Sequence, residues 1–188
     1  MTDTSGKTTM NSLPMVVIDA SLAVARLRVE EQTPQILGAF REWSRMGTRL
    51  VVPRAFWWEV VNALTAGHRY SGEEVLEAVH ELETLGIESR DPDRGSLLLT
   101  ISAVERFRLT AYDAQYLVLA ETLVAPLATL DRALARAAGS RARYLGPGDP
   151  GHRLSEPPAA YEHEVTWPNY KGASAYLAKL RAEAARPS

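Results

Sequence analysis

Four acids in this chain stand where a carboxylate is costly or conspicuous. Asp19 closes the apolar run Met15-Val-Val-Ile18, and Asp131 follows the apolar run 126–129 within Ala-Thr-Leu-Asp. Glu59 lies inside Ala55-Phe-Trp-Trp-Glu-Val-Val-Asn-Ala-Leu64, and Asp113 inside Thr110-Ala-Tyr-Asp-Ala-Gln-Tyr-Leu-Val-Leu-Ala120. An ionised carboxylate in apolar surroundings is expensive unless it is paired or bound to a metal. No Lys or Arg lies within four residues of Asp113, so a neighbouring turn of its own helix cannot neutralise it. Gathered in one place, four carboxylates would repel one another. A divalent cation such as Mg²⁺ or Mn²⁺ relieves that repulsion, because it takes hard oxygen ligands and keeps several waters. A metal-bound water is a better nucleophile, and the cation offsets charge on a phosphate under in-line attack. The chain has no Cys, and His68, His80, His152 and His163 show neither HExxH nor H-x₃-H spacing. Carboxylates are therefore the ligand candidates, and they suit phosphodiester hydrolysis better than zinc chemistry.

These acids need elements to hold them. Met15–Ile18, 49–52 and 126–129 read as short buried strands, continuous and rich in β-branched residues. Weaker strand signals lie at 87–89 and 142–145. Helical spacing covers Pro34–Met46, with Gly47 as its stop, then 55–66, 71–85, 95–107, Ala111–Leu123 and Arg132–Ala138. Ser71 and Glu74 have the spacing of a capping box. The alternation of strands and helices predicts an α/β domain with a mainly parallel central sheet flanked by helices. In such a sheet the carboxyl ends of the strands open on one edge, where ligands bind. Asp19 and Asp131 both sit at strand ends, and convergence is expected.

Each acid also has a plain explanation. Asp19 and Asp131 precede helical segments and would serve as N-caps. Asp113 would answer the dipole of its helix from the first turn, and Glu59 would pair with Arg54 or Arg69. For any residue alone, the plain explanation is the stronger. For all four together, in this order and at these element ends, it is the weaker.

The segments Ile18-Asp-Ala-Ser21, Glu59-Val-Val-Asn62, Leu109-Thr-Ala-Tyr-Asp-Ala114 and Ala128-Thr-Leu-Asp-Arg-Ala-Leu134 resemble the signatures of PIN-domain ribonucleases. They are most similar to those of the VapC toxins of bacterial type II toxin–antitoxin systems, over about residues 15–145. That resemblance implies a three-layer sandwich and a Mg²⁺- or Mn²⁺-dependent endoribonuclease. It further implies a homodimer held inactive by a cognate antitoxin. It places the metal on Asp19, Glu59, Asp113 and Asp131, with Ser21, Asn62 and Thr129 beside it to orient those acids. The domain is expected over residues 15–146, after a flexible polar leader at 1–14, with Met15 a second candidate start. The break at Gly146-Pro-Gly-Asp-Pro-Gly151 opens an extension over 147–188, with a helix expected at about 170–185. Leader and extension both depart from the family pattern.

Composition sets the outer bounds. The chain is 188 residues long, 46% hydrophobic and 23% charged, as a folded globular domain should be. No apolar stretch is long enough to span a bilayer, and the first residues lack the apolar core of a secretory peptide. A cytoplasmic protein is expected. The net charge of -2 gives no sign of a broad basic surface for nucleic acid. Yet residues 15–146 hold 15 Arg against 17 Asp+Glu, and setting aside the four acids leaves 15 against 13. The near-neutral total thus conceals an acidic pocket in a mildly basic body. Arg132, Arg136, Arg141 and Arg143 are candidates for phosphate contact, although solvated Arg faces are common. Of the adjacent Trp57 and Trp58, at least one should be core. A haloacid-dehalogenase-like phosphatase needs an acid where Ser21 stands. A phosphoacceptor receiver needs a late lysine, and residues 15–145 contain none. The competing reading that survives is a PIN-like module that binds RNA or assembles with partners without cutting.

Overall fold

The structure is a computed structural model that describes residues 13–147. The expectations for the leader and for a helix at 170–185 fall outside the described residues. Five strands, β1 (Met15–Ile18), β2 (Arg49–Pro53), β3 (Glu88–Arg90), β4 (Leu127–Thr129) and β5 (Ala142–Tyr144), form one sheet in the order β3-β2-β1-β4-β5. Every pairing is parallel, with Val17 opposite both Val51 and Leu127. The strands are short because each is a run of three to five residues bounded by a turn or a cap. β1, β2 and β4 are almost wholly buried, as strands covered on both faces must be.

Seven helices flank the sheet among the described residues: α1 (Ala20–Leu27), α2 (Pro34–Met46), α3 (Phe56–Asn62), α4 (Gly72–Glu83), α5 (Arg94–Phe107), α6 (Ala111–Leu123) and α7 (Arg132–Ala138). The right-handed rule for parallel crossovers predicts α1 to α4 on one face and α5 to α7 on the other. The packing agrees: α1 lies against α2, α3 and α4, whereas α6 lies against α5, α7, β1 and β2. The α/β expectation with a parallel sheet and helices on its faces therefore holds. From β1 the chain steps outward to β2 and β3, then returns to the other side of β1 as β4. The strand order reverses between β1 and β4, and that crevice is where such folds bind ligands.

Local chemistry explains most boundaries. Thr33 caps α2 through a bond from the Ile36 amide, and Gly47 ends it at φ 63°, a conformation that glycine adopts without a Cβ clash. Ser71 and Glu74 form the expected capping box on α4. Two segments differ from expectation. No bounded helix was expected at 20–27. Helix α1 is only eight residues long, so it offers about two turns in which to read a period. The segment read as one helix over 55–66 is α-helical only through Asn62 and continues as a π-helical turn at Ala63–Gly67.

Candidate active site

Asp19 is the centre of the arrangement. It follows β1, its amide donates to Ala128 O across the ladder at 3.1 Å, and the residue is 5% exposed. Oδ1 accepts from the Leu22 amide at 2.9 Å, which makes Asp19 the N-cap of α1. The Ser21 hydroxyl lies 2.8 and 2.9 Å from the two carboxylate oxygens. The Thr129 hydroxyl donates to Oδ2 from the end of β4. Thr129 is completely buried, and its Oγ accepts the Asp131 amide at 2.8 Å. The Leu130 amide donates to Ser21 Oγ at 3.3 Å. Asp19, Ser21, Thr129 and Asp131 thus form one hydrogen-bonded unit across the β1–β4 crevice.

Asp131 is exposed and caps α7, its Oδ1 accepting from the Leu134 amide at 2.8 Å. Asp113 sits in the first turn of α6, where its Oδ2 accepts from the Thr110 hydroxyl at 2.7 Å while its amide donates back to Thr110 Oγ at 3.1 Å. Glu59, in α3, accepts from the Tyr116 hydroxyl at 2.9 Å. The capping roles considered for Asp19 and Asp131 are therefore real. A cap uses one or two lone pairs and leaves a carboxylate its charge, so the caps account for position and not for electrostatics.

The electrostatics are unusual. Burial, chiefly, pushes the Asp19 carboxyl up to about 6, against the lowering effect of bonds from Thr129, Leu22 and Ser21, with the Asp131 charge adding to the rise. Burial likewise pushes Glu59 up to about 7, helped by the charges of Asp113 and Asp19 and opposed by the Tyr116 bond. Asp19 thus feels the charge of Asp131, and Glu59 those of Asp113 and Asp19, yet among the described residues none of the four acids takes part in an ion pair. Arg54, considered as a partner for Glu59, is bound to Asp91 instead. All-oxygen donors with uncompensated charge fit a hard cation such as Mg²⁺ or Mn²⁺. Among the described residues, no three acids or histidines stand close enough to share one ion. Mg²⁺ does not require three, since it is held through one or two carboxylates with waters and substrate phosphates.

The other expected residues separate. Ser21 and Thr129 contact Asp19 directly, whereas Asn62 is exposed and its side chain bonds to none of the acids. Arg132 reaches Tyr144 and Pro147, Arg141 pairs with Glu121, and Arg143 with Glu42. Trp57 is half-buried, with its indole N–H on Ser89 Oγ at 2.8 Å, and Trp58 is 74% exposed. Tyr116 was not among the expected site residues. It lies three residues after Asp113 and hence on the same helical face, a spacing that would have revealed it.

The model of the PIN domain family matches residues 16–140, which run from β1 through α7 and leave out only β5. This chain belongs to the PIN domain family. PIN domains are generally metal-dependent nucleases, so the chain carries a nuclease fold with its acids at the sheet edge. Among solved structures, this PIN domain is similar to the one described as the crystal structure of PAE2754 from Pyrobaculum aerophilum. The two share 23% identity at a TM-score of 0.49, over 66% of this chain and 85% of that chain. No curated protein matches. No helix of the described residues is long and apolar enough to cross a membrane.

Proposed function

We propose that this PIN domain is a Mg²⁺- or Mn²⁺-dependent endoribonuclease and the toxin of a type II toxin–antitoxin pair, working in the cytoplasm as a homodimer restrained by a cognate antitoxin. The observation that carries the enzymatic part is the buried, unpaired Asp19 carboxylate at the β1–β4 crevice, coupled to Glu59 and Asp131 by charge. Asp19, Glu59, Asp113 and Asp131 would hold the metal. When bound, it would supply an activated water and a counter-charge for the scissile phosphate. Asp19 is the anchor of this set, because the hydroxyls of Ser21 and Thr129 and the Leu22 amide leave it one orientation. Asp131 is the exposed member of the set and would meet substrate at the rim. The toxin and dimer parts rest on the motif resemblance, and the exposed Trp58 beside Glu59 suits a protein partner, since aromatics are enriched at interfaces.

A second reading is a PIN module that binds RNA or a partner without cutting. It is favoured by one observation, the lack of any three converged acids among the described residues. Purified protein incubated with total tRNA and rRNA plus Mn²⁺ separates the two. Cleavage that disappears in Asp19→Ala supports the enzyme, and intact RNA with both Mg²⁺ and Mn²⁺ supports the module. Toxicity on expression, relieved by co-expressing the neighbouring small reading frame, tests the antitoxin.

A further inference from the structure

Tyr116 is among the largest side chains fully buried in this chain, at 1% exposure. A phenylalanine would pack the same ring without bringing a hydroxyl into the interior, where a polar atom is costly unless bonded. The hydroxyl donates to Glu59 Oε1 at 2.9 Å. Tyr116 comes from α6 three residues after Asp113, and Glu59 from α3. One hydroxyl therefore ties together the two helices that carry Asp113 and Glu59. Glu59 needs such a tie more than Asp19 does. Asp19 is held by an amide and two hydroxyls, whereas Tyr116 is the one hydrogen-bond donor to the Glu59 carboxylate among the described residues.

We infer that Tyr116 is the positioning residue of the metal site: its hydroxyl holds the Glu59 carboxylate, and the site's cation affinity depends on that bond. This rests on the metal-nuclease reading above. Residues that orient metal-binding groups typically change affinity 10- to 100-fold when removed. The ring itself serves the core, and the hydroxyl serves Glu59.

The test uses the full chain and Mn²⁺ alone, with affinity from calorimetry and melting temperature in chelator. Tyr116→Phe is expected to weaken Mn²⁺ binding by at least about tenfold. Glu59→Gln should weaken it too, and the double variant should bind no worse than Glu59→Gln, because Tyr116 acts through Glu59. Unchanged Mn²⁺ affinity in Tyr116→Phe, with a loss in Glu59→Gln, would overturn the inference and leave the hydroxyl a purely structural tie. Unchanged affinity in Glu59→Gln would instead overturn the underlying metal-site reading. Should Tyr116→Phe fail to fold, ring-labelled tyrosine in the wild-type chain gives a second readout. The Tyr116 resonance should broaden at low Mn²⁺ occupancy, and a resonance that stays sharp at saturation overturns the inference.

Discussion

Thr129 and Asp19, 110 residues apart in sequence, meet at the carboxyl end of the sheet, where the Thr129 hydroxyl donates to Asp19 Oδ2. Thr129 Oγ1 also accepts the amide of Asp131, so one buried side chain links two of the four acids. Its removal should be costly. Thr129→Val keeps the shape and deletes the hydroxyl, leaving the Asp131 amide without its partner. A loss of about 1 to 3 kcal/mol is expected, while Thr129→Ser should stay within about 1 kcal/mol of wild type. Denaturant melts of the two variants check this. Because the Thr129 bond lowers the Asp19 pKa, the Val variant should also titrate Asp19 above 6.

Stability of the metal-free protein should fall as pH rises. Asp19 moves from 3.8 to about 6 on folding and Glu59 from 4.5 to about 7. Between about pH 4 and 7 the folded state therefore keeps protons that the unfolded chain has released. Stability is full below the unfolded values and is lost as pH climbs through the folded ones. Thermal melts in chelator should show the melting temperature declining from about pH 5 to about pH 7.5. Asp19→Asn should flatten much of that decline, and Mn²⁺ at pH 7.5 should reverse it by binding the folded state alone. A melting temperature that rises over this range would contradict the assignment.

Asp131 caps α7, and substitution can separate that role from the proposed one at the metal. Asp131→Ser retains a side chain able to cap α7, so stability should stay within a few tenths of a kcal/mol, whereas Asp131→Ala should lose about 1 kcal/mol with the cap. If Asp131 serves the nuclease as proposed, both variants should lose RNA cleavage to a similar degree. Cleavage that follows stability, normal in Ser and reduced in Ala, would leave Asp131 as a cap alone.

Val124 ends α6 at φ 52°, a left-handed conformation that a β-branched residue adopts at a steric cost of about 1 to 2 kcal/mol. It is half-exposed, so little burial is lost on truncation. Val124→Gly should raise stability by about 1 kcal/mol without altering metal binding. Chemical denaturation measures the first effect and calorimetry with Mn²⁺ the second.

Much of this molecule was legible residue by residue. Met15–Ile18 and Pro34–Met46 have the bounds that apolar runs and a glycine stop suggest, and Ser71 with Glu74 announces the start of α4. Helix α1 was less legible because its eight residues make only about two turns. Asn62 illustrates the opposite limit. A spacing of three from Glu59 puts two residues on one side of a helix without saying where the second side chain ends up, and Asn62 ends up exposed.

By itself, then, the sequence determined the local elements, the four acids and the two strand ends at which Asp19 and Asp131 sit, because caps, turns and hydrophobic period act over a few residues. Only the tertiary structure decided that β4 returns to the far side of β1, that Trp58 and not Trp57 faces solvent, and that the Tyr116 hydroxyl reaches Glu59. Those outcomes depend on which distant surfaces bury one another. The energy that selects them comes from packing across the whole sheet, and no short window of the chain contains it.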